Sequence, residues 1–419
     1  MKKLLVVLSV SLAMAAACSG EKSEGAGDAG GDAAVDAALD AGADGDADGD
    51  NDADADAGGD AASDAGDAGA KTWPGEPWYG CTGDDETGAT VVTVFDQADQ
   101  YFNPEDKRTI DAKAVFPDTG DWKRIDLRIE LGCPADGDCD NWDRFANVML
   151  VENPGLPDEE VLEIERYITP YNVGMCMLTD VTRFAPRLKG EKTLRSFIDT
   201  WVGPNDTVQG HGWRVTVKFL FRSDGTGETV PDEILPLWPL KDVWVGDPTN
   251  TIQDQFAPLK LSVASGVTKA ELRILATGHG QGNLFNCSEF CNLIQSIRVN
   301  GEEFRYDPWR LDCEENPLGP YQAGTWTYQR NGWCPGAYVI PRVFDVTQVI
   351  KSGQENTFGY DMLDAESKTY ENTCRPDAGT AENLCEGCEF NSLPGNCDYN
   401  SSDHTAPVDK VSVQLLLYR

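Results

Sequence analysis

Four stretches of the chain alternate apolar and polar residues with a period of two, and this alternation restricts the possible fold more than any other feature. It is typical of strands with one buried face, because successive strand side chains point to opposite sides of a sheet. The stretches are WKRIDLRIEL (122–131), RVTVKFLFR (214–222), KAELRILATG (269–278) and KVSVQLLLYR (410–419). A further stretch, SIRVNGEEFRY (296–306), has Asn300-Gly301 at its centre, which predicts a β-hairpin with a type I′ turn. Long amphipathic helical patterns are missing from the sequence, so we predict an all-β protein built of antiparallel β-sandwiches.

The N-terminal 72 residues are predicted to lie outside this folded part. Lys2, Lys3 and the apolar run after them are typical of a secretory signal peptide, residues 1–18, whose end at Cys18 resembles a bacterial lipobox. This predicts a lipid on Cys18 and an exported outer-membrane lipoprotein, periplasmic or at the cell surface; ordinary cleavage that leaves a spare cysteine is the alternative. Residues 19–72 are nearly all Asp, Ala and Gly, which cannot bury a core, so we predict a disordered stalk.

The charge of the chain narrows the classes of partner. The formal net charge is −37 at pH 7. Such an acidic protein is a poor ligand for nucleic acid or for anionic lipid. We therefore expect neutral or basic partners, no nucleic acid, and a membrane contact through the N-terminal lipid only.

The cysteines predict a disulfide-stabilised protein. Cys18 is one of 13 cysteines, so an even number remains in the exported part. Their spacing predicts the pairs Cys133–Cys139, Cys287–Cys291 and Cys313–Cys334. The pairing of the other six stays open: Cys81, Cys176, Cys374, Cys385, Cys388 and Cys397. A zinc site formed by Cys385, Cys388 and Cys397 is an alternative for part of that group.

The folded part is predicted to contain two domains. The segment SDGTGETVPDE (223–233) is polar and turn-rich and follows a clear strand, so we place a domain boundary there, between 73–226 and 227–419. Residues 366–408 are polar, carry four cysteines and lack periodicity. We interpret this segment as an insert in the second domain.

Three acidic residues are candidates for chemistry because of their local context. Asp143 follows the Cys133–Cys139 loop, Glu289 lies inside CSEFC (287–291), and Asp199 lies in FIDTW (197–201) at the end of a predicted strand. A short cysteine loop restricts the side chains beside it, as preorganised catalysis requires. Solvated or turn-capping acids are the structural alternative for each of them.

Five blocks of sequence, in order, resemble the peptide-N-glycosidase F family. They are CDNWDRFANVML (139–150), RYITPYNVG (166–174), FIDTW, CSEFC and NGWCPG (331–336). The resemblance implies two jelly-roll sandwiches side by side with the active site in the cleft between them. It implies hydrolysis of the amide that joins an N-linked glycan to asparagine in a glycoprotein or glycopeptide, by a monomer without metal or other cofactor.

The same resemblance implies roles for individual residues. Asp143 matches the main catalytic acid, Glu289 the cleft acid of the second half, and Asp199 a third carboxylate that is Glu in the family. The matching substrate-binding residues are Arg144 and Arg330, with the cleft aromatics Trp142, Trp201 and Trp333. The chemistry fits, because two carboxylates of different pKa can divide the work of activating water and protonating the amide nitrogen.

Three other classes of protein share parts of this pattern. A copper monooxygenase with a twin sandwich needs several histidines, and the sequence has three, His211, His279 and His404. A glycosidase would also use paired carboxylates, but the five blocks do not favour one. A non-catalytic glycan-binding protein on the same fold is the main alternative, and the shorter Asp199 favours it mildly.

Overall fold

The computed structural model of the chain describes residues 81–245, 250–280, 288–363 and 407–419. The predicted signal peptide, Cys18, the predicted stalk, Cys287 and residues 366–406 of the predicted insert, with the alternative zinc site, lie outside these ranges. The described residues all belong to one compact unit. None of their helices is long and apolar enough to span a membrane.

The described residues form nineteen β-strands and few, short helices. In chain order the strands are β1 (Thr90–Gln100), β2 (Thr109–Phe116), β3 (Arg124–Gly132), β4 (Phe145–Glu152), β5 (Glu160–Ile168), β6 (Met175–Asp180), β7 (Gly190–Ile198), β8 (Trp213–Arg222), β9 (Glu233–Trp244), β10 (Leu259–Ser262), β11 (Lys269–His279), β12 (Ile294–Val299), β13 (Glu302–Tyr306), β14 (Trp309–Arg310), β15 (Arg330–Asn331), β16 (Ala337–Tyr338), β17 (Arg342–Asp345), β18 (Glu355–Leu363) and β19 (Val408–Tyr418). One short α-helix, α1, spans Ile252–Gln255, and 3-10 turns span Gly83–Glu86, Thr182–Phe184, Cys313–Glu315 and Gly319–Tyr321.

The strands pair into two antiparallel sandwiches, which confirms the predicted fold class. The first has a four-stranded sheet, β1-β8-β3-β6, and a five-stranded sheet, β16-β5-β4-β7-β2. The second has the sheets β17-β11-β19-β9 and β10-β18-β12-β13, and a small pair joins β14 to β15. A large apolar core fills each sandwich. Residues 223–232 connect β8 to β9, and the domain limits set from the sequence stay a prediction.

The alternation in the sequence correctly predicts which side chains of β3 and β8 lie in the core of the first sandwich. Ile125, Leu127, Ile129 and Leu131 of β3 are all buried, as are the apolar residues of β8. The hairpin of β12 and β13 is also confirmed: Asn300 and Gly301 both have positive φ, as a type I′ turn requires, and Val299 pairs with Glu302.

The last strand differs from its prediction of one buried face. In β19 the polar residues Ser412 and Gln414 are as buried as the leucines beside them, and in β11 Arg273 and Thr277 are buried too. The reason is that β5 of the first sandwich lies against this face: the Gln414 amide donates to the Glu163 carbonyl at 2.6 Å, and Arg273 donates to the Ile164 carbonyl at 2.9 Å. The alternation correctly indicates a polar face on these two strands of the second sandwich, and β5 of the first sandwich buries that face.

Candidate active site

Asp143, Glu289 and Arg330 come together from three separate segments. Asp143 lies in the turn before β4, Glu289 lies between β11 and β12, and Arg330 begins β15. Arg330 Nε donates to Glu289 Oε1 at 3.1 Å, and its Nη2 donates to Asp143 Oδ2 at 3.4 Å. One guanidinium therefore joins the carboxylate of the first sandwich to that of the second.

Arg330 is itself held on every side. Its side chain is 1% exposed. Its Nη1 donates to the carbonyls of Thr325 and Tyr328, and its Nη2 donates to the hydroxyls of Thr325 and Tyr171, all within 3.1 Å. The guanidinium also lies 4.7 Å from the ring centre of Trp333. A cation fixed in this way holds the two acids in one relative orientation.

The electrostatics of Asp143 suit a proton-transfer group. Burial raises the pKa of its carboxyl from 3.8 to about 7, Arg330 opposes this rise, and the nearby charge of Glu289 adds to it. The Tyr171 hydroxyl and the charge of Arg144 lower the pKa of the same carboxyl. Near neutral pH Asp143 therefore exists in both the acid and the base form, which general acid–base catalysis requires.

The segment that carries Glu289 is fixed by its backbone. The Glu289 amide donates to the Gly280 carbonyl at 3.0 Å, and the Asn331 amide donates to the Glu289 carbonyl at 2.8 Å. Its carboxylate also accepts from the Gly280 amide at 3.3 Å. Cys291 is disulfide-bonded, while its predicted partner Cys287 lies outside the described residues. The loop is thus tied both to the end of β11 and to the strand of Arg330.

A buried acid that the sequence analysis missed organises the other side of the site. The disulfide Cys133–Cys139 is confirmed, and the residue after it, Asp140, is fully buried. Asp140 accepts from Arg144 Nε at 2.8 Å, from the Thr200 hydroxyl at 2.6 Å and from the Trp142 amide at 3.0 Å. Arg144 is therefore bound to Asp140, although its charge still lowers the pKa of Asp143. The sequence shows both acids of CDNWDR but not which of them is enclosed.

Asp199 lies next to this region but belongs to another ion pair. Its amide donates to the carbonyl of Phe145, two residues after Asp143, so both acids lie at the same end of β4 and β7. Its carboxylate accepts from Arg108 at 3.4 Å, and Arg108 stacks on Trp201 at 4.4 Å. The ring of Trp201 is 54% exposed. The structure thus separates Asp199 and its exposed tryptophan from the pair held by Arg330.

The three predicted cleft aromatics differ in exposure. Trp201 is open and Trp142 is half-buried, but Trp333 is 2% exposed and has no free face for a sugar ring. Its indole donates to the Gly278 carbonyl at 2.6 Å, and its ring stacks on His279 at 5.4 Å. Trp333 was expected to line the cleft and contact substrate. It lies instead beneath Arg330, where its ring supports the guanidinium.

Two further disulfides lie in the described residues. Cys313–Cys334 is confirmed, and Cys81–Cys176 settles two of the six cysteines that spacing left open. Among the described residues, no group of three or more His, Cys, Asp or Glu is arranged to hold a metal ion. Between Asp143 and Glu289 the positive charge is supplied by Arg330.

Known proteins share this arrangement of strands. The family model for the C-terminal part of peptide-N-glycosidase F matches residues 248–378. A curated relative, the peptide-N(4)-(N-acetyl-β-D-glucosaminyl)asparagine amidase F of Elizabethkingia miricola, is 28% identical over 283 residues, which cover 64% of this chain and 76% of the relative.

Solved structures agree with these matches. Recombinant peptide N-glycanase F superposes with a TM-score of 0.60 at 22% identity, covering 79% of this chain and 96% of that one. Another structure, described as a glycosylasparaginase from Flavobacterium meningosepticum, superposes with a TM-score of 0.57 at 21% identity over the same shares. Fold and site together define a twin-sandwich protein with a carboxylate–arginine centre. The chain is similar to the peptide-N-glycosidase F family, in sequence most clearly over residues 248–378 and in fold over most of its length.

Proposed function

We propose that this protein hydrolyses the amide between an N-linked glycan and the asparagine of a glycoprotein or glycopeptide. The observation that carries the proposal is the pair Asp143 and Glu289, two acids in different environments bound to one buried arginine. The family resemblance gives the substrate class, and the disulfides fit a protein that acts in an oxidising compartment outside the cytoplasm.

The proposed reaction divides one hydrolysis between the two carboxylates. Glu289, paired with Arg330, positions and polarises a water that attacks the amide carbon. Asp143 in its ionised form takes a proton from this water and donates it to the amide nitrogen. The C–N bond then breaks, the nitrogen leaves as a glycosylamine, and the asparagine carbonyl becomes the carboxyl group of aspartate. The glycosylamine then decomposes in water to free sugar and ammonia. The fixed orientation of both carboxylates accelerates the reaction, because the reacting atoms are held close to the required geometry before the reaction begins.

The remaining predicted residues receive supporting roles in this proposal. Trp201 offers an exposed aromatic face to a sugar ring, and Asp199 with Arg108 forms a charged rim beside it. Trp142 and Arg144 are held by Asp140 on the side of the Cys133–Cys139 loop. Trp333 acts through Arg330. Lipidation at Cys18, a monomeric state and the absence of a cofactor stay predictions from the sequence.

The test is the mass of a product peptide. The exported protein is purified with its disulfides intact and incubated with a denatured N-glycoprotein and with a short glycopeptide. We expect loss of the whole glycan and conversion of asparagine to aspartate. In Asp143→Asn the rate should fall about a thousandfold, within the usual range for removal of a general acid or base.

The matched control is Asp136→Asn, which removes an exposed carboxylate from the same cysteine loop and should keep full activity. Glycan binding without any change in peptide mass would instead support the non-catalytic alternative and exclude the amidase.

A further inference from the structure

A second buried carboxylate, Asp409, lies behind the candidate site. It belongs to β19, is fully buried, and pairs across the sheet with Gly278 of β11. Its Oδ1 accepts from the Ser288 hydroxyl and from the side-chain amide of Asn331, the latter at 3.2 Å. Its Oδ2 accepts from the side-chain amide of Gln295 at 3.0 Å. One side chain therefore gathers three donors from three different segments.

Two of these donors are the sequence neighbours of site residues. Ser288 precedes Glu289, and Asn331 follows Arg330. The backbone bond from the Asn331 amide to the Glu289 carbonyl joins the same two segments. Any movement of Asp409 would therefore be passed to both partners of the Glu289–Arg330 ion pair.

The space for this arrangement is made by the absence of a side chain at Gly278. A Cβ there would lie 2.4 Å from Asn331 Nδ2 and 2.4 Å from the Ser288 carbonyl oxygen, too close for any real contact. Because residue 278 has no side chain, the segments that carry Ser288 and Asn331 can both lie close to β11, and their side chains reach Asp409 on the next strand. The third donor, Gln295, is fixed in turn by the Tyr360 hydroxyl and by the Leu293 carbonyl.

We propose that Asp409 is a positioning residue, which sets the orientation of Glu289 and Arg330 through Ser288 and Asn331 without touching the substrate. This inference rests on the proposed function, because it assigns Asp409 to the amidase site. The geometry favours it over a purely structural role, since two of the three groups that Asp409 binds adjoin the ion pair.

Burial of the ionised Asp409 carboxylate is unfavourable in free energy, and its three hydrogen-bond donors stabilise the ionised form. Burial raises its pKa to about 6, whereas the bonds from Ser288, Gln295 and Asn331 lower it and Arg166 lowers it further. The other titratable groups whose charge is coupled to it are Tyr306 and Tyr360. Near neutral pH the residue is therefore mainly an ionised acceptor, which binds its donors more strongly than a neutral group would.

The experiment compares Asp409→Asn and Ser288→Ala with a control carboxylate. The control is Asp126→Asn in β3, which is also buried, binds Arg124 and Arg222, and has no contact with the site. All variants are made in the full exported chain, and kcat and KM are measured with a glycopeptide. We expect kcat to fall about 10- to 100-fold in Asp409→Asn with KM changed less than about twofold, because a displaced group costs rate more than ground-state binding.

Further comparisons separate positioning from folding. Ser288→Ala should lower kcat in the same direction, and the double variant should lose less than the product of the single effects, because both changes break the same contact. Asp126→Asn should lower the melting temperature and keep kcat. An Asp409→Asn protein that melts lower but keeps wild-type kcat would overturn the proposal.

A readout that does not need activity distinguishes this inference from the proposed function. The Asp143 carboxyl is titrated by carbon NMR, with its signal assigned by its loss in Asp143→Asn. Glu289 and Arg330 are charged neighbours of Asp143 and act on its pKa. If Asp409 sets the orientation of these two side chains, then Asp409→Asn should move the pKa of Asp143 by about half a unit or more. A wild-type protein without activity would contradict the proposed function alone. An Asp143 pKa that is the same in Asp409→Asn and in the wild type would contradict the positioning role of Asp409.

Discussion

Arg330 binds two acids that would otherwise repel each other, and it does so without exposure to water. Its own pKa is raised by the charges of Asp143 and Glu289, while burial opposes that rise. With one cation between two carboxylates, the neutral arrangement of the three groups holds one proton, which the two acids share as a coupled pair. The position of one guanidinium therefore links the protonation of one acid to that of the other.

The raised pKa of Asp143 predicts a pH-dependent cost to stability. Folding raises this pKa from 3.8 to about 7, so between these values the folded state binds a proton that the unfolded chain has lost. The contribution of Asp143 to the free energy of unfolding therefore falls as pH rises through that window. Asp143→Asn removes this term, and its unfolding free energy relative to wild type should be higher at pH 8 than at pH 4 by up to about 4 kcal/mol.

Chemical denaturation at the two pH values measures this difference. In the control Asp136→Asn, which removes an exposed charge, the stability relative to wild type should be nearly the same at both. An Asp143→Asn effect that does not change between pH 4 and pH 8 would contradict the assigned pKa.

Among the structural elements, two disulfides contribute in different ways. Cys133–Cys139 closes a loop with a sequence separation of 6, and Asp140 follows it directly. Cys81–Cys176 spans a separation of 95 and ties the segment before β1 to the edge strand β6. The short bridge therefore restricts the part of the chain that positions Arg144, while the long one restricts the unfolded chain far more.

Replacing each pair by serine should separate these contributions. Loop-closure entropy predicts a loss of about 2 kcal/mol without Cys133–Cys139 and of about 4–5 kcal/mol without Cys81–Cys176. Glycan release at 25 °C should nevertheless fall about tenfold in the first variant and stay at the wild-type rate in the second, because a misplaced site residue costs rate directly. Equal activity losses in the two variants would argue against a local role for the short loop.

At the scale of the whole molecule, the two sandwiches are joined by buried polar groups. Arg166 and Glu163 of β5 form a fully buried ion pair, in which Arg166 Nη2 lies 2.7 Å from Glu163 Oε2. Arg166 also donates to the Thr277 hydroxyl of β11 at 3.0 Å and to the Lys410 carbonyl of β19. The site acids come from opposite sides of this junction, so its rigidity fixes the distance between them.

Breaking the buried pair should therefore weaken the whole described unit. Glu163→Gln leaves the Arg166 charge without its carboxylate and should cost about 3–5 kcal/mol in a single calorimetric transition. The matched control is Glu191→Gln, which removes an exposed partner of Lys113 and should cost at most about 1 kcal/mol. Two separate transitions, of which Glu163→Gln shifts one alone, would show instead that the sandwiches unfold independently.

Much of this protein could be predicted from local patterns in its sequence. Period-two alternation located β3, β8 and β11, Asn300-Gly301 located a hairpin, and short cysteine spacings located Cys133–Cys139 and Cys313–Cys334. These features were predictable because each depends on residues close together in the chain, where side-chain direction and loop length leave few choices. Asp143 and Glu289 stood out for the same reason, since Asp143 follows one predicted cysteine loop and Glu289 lies inside another.

Only the tertiary structure decided what lies behind and beneath those acids. Asp140 and Asp409 have no distinguishing local pattern, yet each is fully buried because segments distant in sequence enclose it. Cys81 is bonded to Cys176, 95 residues away in the sequence, and Trp333 contacts both Arg330 and the Gly278 carbonyl of β11. The sequence by itself determined the alternating strands, the hairpin at Asn300-Gly301 and two short disulfide loops, and it marked Asp143 and Glu289 as candidate site residues. Which polar groups are buried and paired depends on packing between distant segments, and therefore on the folded molecule.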